Sequence, residues 1–429
     1  MRTLHITSPH FAEQLGTLLA SRAESQQSVV PIVADIIAQI RQGGDAKLKE
    51  FTAKFDQYEP VDLRLSADTW QAEAAKCPAD VAKALELSAK RIVAYSKQQL
   101  PANHTYTDSE GVELGWQWTP VDSAGLYVPG GLASYPSSVL MNAVPAKVAG
   151  VKRLAVTVPC PDGILNPVVL KACEIAGVDE IYAIGGAQAV AALAYGTETI
   201  QPVDMICGPG NAFVAEAKRQ VFGQVGIDMI AGPSEVLIVA DASTPAKWVA
   251  MDMLAQAEHD ERAQSIVIVD DADYAEQVSQ AVAEVLKTLP RAEVASQSID
   301  DFGAVIVVED IYQDAAAIND RVAPEHLQLA VEKPEIIAEQ VTHAGAIFFG
   351  AMTTEAMGDY IAGPSHVLPT GGTARYASGL SVFSFLKRSS TIRTPAAAFN
   401  TLAPDAIRLA DAEGLGAHAS SMRVRLDDA

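Results

Sequence analysis

Apolar positions set the first elements. A short strand-like run, 4–6, precedes Ser8-Pro9, after which Phe11, Leu15, Leu18 and Leu19 recur at helical spacing. The stripe Val33, Ile36, Ile37 and Ile40 predicts a helix with Pro31 in its first turn and a stop at Gly43-Gly44. Asp45 is then placed to cap a helix carrying Leu48, Phe51 and Phe55. Residues 66–100 read as helical, with Leu85, Ile92 and Tyr95 on one side, and 112–121 alternate as a strand does. Another strand leads into Pro129-Gly130-Gly131 and a small-residue helix.

From Arg153 the pattern becomes regular. Strands at 153–158, 180–184 and 203–206 alternate with helices at 166–176, 187–195 and 211–222. It restarts at Gly232-Pro233-Ser234, with strands at 235–240, 265–269, 304–308, 326–331 and 346–349. Helices at 245–258, 274–289, 311–319 and 334–343 lie between them. Short apolar strands alternating with helices predict an α/β fold in two halves, each a parallel sheet covered on both faces. A ligand is expected in the crevice at the carboxyl ends of the strands. The stretch 357–388 breaks the pattern: it is too irregular for a helix, too long for a hairpin, and rich in Gly and Pro around Asp359 and His366. It reads as an ordered functional loop. The last fifty or so residues read as mostly helical and polar, too few to fold alone, and suit an arm laid on a second subunit.

Composition narrows the function. A length of 429 residues suits two to three domains. A net charge of −22 argues against nucleic acid, whose phosphates require clustered Lys and Arg. Cys77, Cys160, Cys173 and Cys207 are scattered without a C-x-x-C pair, so neither a disulfide framework nor a thiolate zinc site is indicated. The start lacks an apolar leader and no run is long enough to span a bilayer, so a soluble cytoplasmic protein is the simplest expectation.

Several constellations could carry chemistry. Gly185-Gly186-Ala187-Gln188 and Gly208-Pro209-Gly210-Asn211 follow strands and open helices, which suits a phosphate or equally a plain tight turn. Gln256 and His259 share a helix face and could bind a divalent metal or simply end the helix. Glu325-His326 at a strand entrance could supply two bases, or be a solvated Glu beside a hydrogen-bonded His. Asp359 and His418 would complete a four-ligand N/O set with Gln256 and His259, which suits zinc in a substrate-accessible site. Spacing alone leaves their convergence open.

The segments Y-V-P-G-G (127–131), A-I-G-G-A-Q-A-V-A-A-L-A-Y-G-T (183–197), G-I-D-M-I-A-G-P-S-E-V (226–236), Q-A-E-H-D (256–260), A-P-E-H-L (323–327) and A-G-P-S-H-V-L-P-T-G-G-T-A-R (362–375) resemble the histidinol dehydrogenase family. The resemblance runs in order over essentially the whole chain. It implies oxidation of L-histidinol to L-histidine through L-histidinaldehyde with two NAD+ and one zinc ion per subunit, the last step of histidine biosynthesis. It implies two incomplete Rossmann-like domains in an intertwined homodimer, with no membrane or nucleic-acid partner. The expected layout is an N-terminal helical segment at 1–25 and a discontinuous first domain at 26–119 with 234–378. An NAD-side domain at 120–233 and a C-terminal arm at 379–429 complete it.

By resemblance, Gln256, His259, Asp359 and His418, the last from the other protomer, hold zinc. Those four ligands also touch substrate, together with Ser234, His326, His366 and Glu413. Tyr127, Gln188 and Asn211 contact NAD, and Glu325 and His326 are the catalytic pair. In the implied mechanism His326 takes the hydroxyl proton, a task suited to an imidazole titrating near neutrality, and Glu325 activates water. The nearest rivals are a paralogue oxidising another small polar alcohol and a non-catalytic two-lobed binding protein.

Overall fold

The computed structural model describes residues 1–20, 29–129 and 135–427. The Gly130-Gly131 turn and residues 21–25 of the expected N-terminal segment lie outside them. Two compact units emerge: Met1–Gln98 with Asp122–Phe385, and Gln99–Val121 with Leu386–Ala429.

The chain opens with β1 (Arg2–His5), α1 (Phe11–Ala20), α2 (Val30–Asp56), α3 (Ala67–Ala74) and α4 (Ala79–Gln98). Strands β2 (His104–Thr107), β3 (Glu113–Pro120) and β4 (Ser123–Tyr127) precede α5 (Pro136–Ala149). The regular alternation is β5 (Arg153–Thr157), α6 (Pro167–Ala176), β6 (Glu180–Tyr182), α7 (Gly186–Tyr195), β7 (Met205–Cys207), α8 (Ala212–Val221) and β8 (Gly226–Ile227). It resumes with β9 (Glu235–Ala240), α9 (Ala246–Ala257), β10 (Gln264–Val269), α10 (Ala272–Leu286), α11 (Ala292–Phe302), β11 (Ala304–Val307) and α12 (Ile311–Val322). Then come β12 (His326–Ala330), α13 (Pro334–Ala338), β13 (Ala346–Phe349) and α14 (Glu355–Tyr360), and finally β14 (Leu386–Arg393), α15 (Ala396–Ala412) and α16 (Gly416–Asp427).

The first unit contains two parallel sheets, ordered β1-β11-β10-β9-β12-β13 and β6-β5-β4-β7-β8. In the six-stranded sheet Leu237, Val239, Ile266 and Ile268 pack on one face with residues of α1 and α12. Val236, Ile238, Val267 and Val269 pack on the other with residues of α9, α10 and α11. Successive side chains point to opposite faces, so burial on both sides requires an unbroken Val/Ile run, each residue stabilising by roughly 1.5–3 kcal/mol. A third core joins α2, α7 and α8 to the five-stranded sheet.

The second unit is an antiparallel sheet, β14-β3-β2, with α15 and α16 packed on each other. The strand β14 departs from the expected helical tail, and β2 and α11 were likewise not foreseen. The expected break at Gly43-Gly44 is a bend inside α2: Gly44 has φ 49°, and a Cβ there would collide with the Glu198 carboxylate. Asp45 does not cap the following turn as expected; its carboxylate accepts from the backbone N–H and hydroxyl of Thr199. Among the described residues no helix is long and apolar enough to cross a membrane, and all four cysteines are free.

Candidate active site

The polar residues gather at the amino edge of the six-stranded sheet, not at the carboxyl edge where a ligand was expected. His326 is the first residue of β12, opposite Val236 of β9 and Ala346 of β13. Because α9 runs back from the far end of β9, its last turn returns Gln256, and His259 just beyond it, to that same edge. Asp359 lies on the short helix α14, which corrects its placement in an irregular loop. Helix α4 anchors the end of α14 and the residues after it: Ser88 Oγ donates to the Tyr360 carbonyl at 2.6 Å, and Arg91 donates to those of Ile361 and Ala362 at 2.5 and 3.0 Å.

The catalytic pair of the resemblance is buried and oriented. Glu325 Oε2 accepts from the Glu235 backbone N–H at 2.9 Å. His326 Nδ1 lies 2.8 Å from the Glu235 carbonyl, which cannot donate, so the proton sits on Nδ1. Nε2 is left as the acceptor, buried and without a hydrogen-bond partner among the described residues. Burial drives the His326 pKa down to about 3, against the opposing pull of the Glu235 bond. The ring is therefore neutral, below the near-neutral titration expected. The carboxyl groups of Glu325 and Glu355 lie 3.7 and 3.8 Å from Nδ1, and in its ionised form the Glu325 carboxylate is placed to stabilise the protonated ring once it accepts.

Around this pair the charge is one-sided. Burial raises the Glu355 carboxyl well above its ordinary range, and Asp359, Glu325 and Asp252 push it further. Burial also raises Asp359 to about 6 and lowers His259. Ligand atoms of His326, Glu355 and Asp359 lie within 4.8 Å of one another and could hold a metal ion. The Gln256 amide lies between His259 Nδ1, 3.4 Å from one of its atoms, and the Glu355 carboxylate. Crowded buried carboxylates beside imidazole and amide donors suit a divalent cation, so the residues present fit a zinc ion.

A second cluster sits at the carboxyl edge of the five-stranded sheet, where the order turns back between β4 and β7. Tyr127 ends β4 and its hydroxyl accepts from the Gly186 N–H at 3.2 Å. Gln188, in the first turn of α7, is buried, and its amide nitrogen lacks a partner among the described residues. Asn211 caps α8, its side-chain oxygen accepting from the N–H groups of Phe213 and Val214 at 3.1 and 3.2 Å. An orphaned buried amide at a switch point fits a polar cofactor.

The two edges meet at His366. Its Nδ1 donates to the Asp359 carbonyl at 3.1 Å, while Nε2 lies 3.1 Å from Ser138 Oγ on α5. Burial drives its pKa down to about 4. Ser365 Oγ also donates to the Met141 carbonyl, at 3.2 Å. Ser234 immediately precedes β9 on the first edge. Glu413 and His418 belong to the second unit, at the end of α15 and on α16, and both are exposed. The sequence reading missed Glu355, although it stands four residues before Asp359 and so on the same face of a helix.

The histidinol dehydrogenase family model matches residues 19–426. The chain belongs to the histidinol dehydrogenase family. Named histidinol dehydrogenases from Gluconobacter oxydans and Rhodospirillum rubrum are 54% and 55% identical to it, over 100% and 99% of this chain and 100% and 98% of theirs. The crystal structure of histidinol dehydrogenase from Elizabethkingia anophelis matches with a TM-score of 0.95 at 34% identity, covering 100% of this chain and 98% of that one. As a histidinol dehydrogenase the chain is an oxidoreductase, and the two facing edges lie on the scaffold of that family.

Proposed function

We propose that this enzyme oxidises L-histidinol to L-histidine through L-histidinaldehyde, with zinc and two NAD+, as the last step of histidine biosynthesis. The observation that carries the reading is the neutral His326 whose Nε2 is left as a free acceptor beside a buried carboxylate cluster. When bound, zinc supplies a template and Lewis acid for the substrate's nitrogens, and NAD+ supplies the hydride acceptor. Gln256, His259 and Asp359 would hold zinc with the partner's His418, leaving the His326 ring for proton transfer. Tyr127, Gln188 and Asn211 would contact NAD, and Ser234, His366 and Glu413 the substrate.

His326 Nε2 accepts the hydroxyl proton of the alcohol, and Nδ1 stays donated to Glu235 throughout. Glu325 takes a proton from the water that adds to the aldehyde, and His326 accepts a second proton as the hydrated aldehyde is oxidised. Burial keeps the aldehyde from side reactions between the steps. Three of the four cysteines are poor nucleophiles for trapping it: burial pushes the Cys160 and Cys173 thiols up to about 12, and Cys207 well above its ordinary value. The physiological form in this reading is a cytoplasmic homodimer.

The test is NADH formed per L-histidinol consumed. Two NADH, lost with a chelator and restored by zinc, is the expected result. One NADH, or activity indifferent to chelation, would overturn the four-electron or the metal-dependent part respectively.

A further inference from the structure

We infer that Lys218 and Asp228 are positioning residues for the dinucleotide: their buried pair fixes Gly208, and through Gly208 the side chains proposed to contact NAD. The inference rests on that proposed NAD site and adds two residues that hold its shape. Lys218 lies on α8 and Asp228 directly follows β8, their side chains 2% and 0% exposed. Lys218 Nζ donates to the Gly208 carbonyl at 2.9 Å, and the Gly208 N–H donates to Asp228 Oδ2 at 2.8 Å. Asp228 Oδ1 pairs with Lys218 and accepts from the Met229 N–H at 2.7 Å.

Apolar residues of the same volume often stabilise a fold as well as a buried ion pair does. What this pair supplies is a donor and an acceptor on the two sides of one glycine. Gly208 has φ 114°, and a glycine ranges widely in that region unless its N–H and C=O are held. It follows Cys207, which pairs with Leu126, so it stands beside Tyr127. A Cβ at 208 would lie 2.1 Å from the Tyr127 carbonyl oxygen, so the two backbones are in contact. Three residues on, Asn211 caps α8. The Tyr127 hydroxyl in turn accepts from the Gly186 N–H at 3.2 Å, two residues before Gln188. A shift of Gly208 therefore moves Tyr127 and Asn211 together and reaches Gln188 through Gly186.

Two double variants separate positioning from stability. Lys218→Met with Asp228→Asn leaves no buried charge, keeps an oxygen for the Gly208 N–H and removes only the donor to its carbonyl. Lys218→Met with Asp228→Leu removes both bonds. NADH affinity of the full-length protein, from the fluorescence of bound NADH, is read beside the urea midpoint. Affinity is expected to fall roughly fivefold in the first variant and roughly 25-fold in the second, one hydrogen bond at a time. The KM for NAD+ should rise in step, while the KM for L-histidinol stays within about twofold of wild type and the urea midpoints do not follow the series. NADH affinity in the Met/Leu variant equal to wild type overturns the inference, as does a loss that tracks the urea midpoint or falls equally on the KM for L-histidinol. Should the Met/Leu variant fail to fold, the Met/Asn variant decides by the same readings. Failure of the wild-type protein to bind NADH overturns the underlying NAD reading, a result distinct from wild-type binding that both variants retain.

Discussion

At the scale of single residues, the site is governed by which atoms are already engaged. His326 spends Nδ1 on the Glu235 carbonyl, and Glu325 accepts from the N–H of that same residue. One peptide segment thus sets the tautomer of the base and the aim of the carboxylate. Glu325→Gln preserves the accepting oxygen and removes only the basicity. It is expected to slow oxidation of L-histidinaldehyde by about 10²–10⁴-fold and alcohol oxidation far less. Single-turnover rates on the two substrates measure this, and equal losses would count against the assignment. Tyr127 gives a pH prediction. Burial first, and Asp56 as a lesser cause, raise its pKa to about 12. The folded state therefore holds the proton more tightly than the unfolded chain. The stabilisation is fully present below pH 10 and is lost as pH rises toward 12, by on the order of 2–3 kcal/mol. Urea midpoints of wild type should fall over that range, and Tyr127→Phe should flatten the fall; identical profiles would refute it.

At the scale of elements, the turn after β7 is held by a buried ion pair. Lys218 on α8 pairs with Asp228, the two side chains being 2% and 0% exposed. Lys218 also donates to the Gly208 carbonyl at 2.9 Å, while Asp228 accepts from the Gly208 N–H at 2.8 Å. Removing one member strands a buried charge, so Lys218→Met is expected to destabilise by roughly 3–5 kcal/mol in urea unfolding. A change under about 1 kcal/mol would show that the pair does not hold the turn. The parallel strands were legible because E-V-L-I-V-A and S-I-V-I-V can be buried on both faces only as strands. The exposed strand β14, L-K-R-S-S-T-I-R, has no apolar period to betray it, and its partner β3 is more than 260 residues away in the chain. Asp359 was found as a chemical group but not as part of a helix, because Gly358, Gly363 and Pro364 mask the single turn that also carries Glu355. The position of the site at the amino edge was not legible either. It depends on the length of α9, which returns Gln256 and His259 to the start of β9.

At the scale of the whole molecule, the proposal turns on which protomer's arm brings His418 to the proposed zinc set. The second unit holds Glu413 and His418 on exposed helical surface, and in the proposed homodimer the arm serves the partner's site. Two inactive variants test this without any structural assumption about the interface. His326→Ala disables the catalytic edge, and His418→Ala disables the arm. If arms are exchanged, a hybrid dimer contains one site with both defects and one site with neither. Statistical remixing then gives half hybrids, each half active, and activity should recover to about one quarter of wild type. If each arm serves its own chain, every site in the mixture carries one defect and nothing is recovered. Zinc content should follow the same arithmetic, because only His418→Ala removes a ligand: exchanged or not, about half of the sites in the mixture retain a full set. Recovery of activity at unchanged mean zinc content is therefore specific to exchange, and its absence in remixed dimers would return His418 to its own protomer.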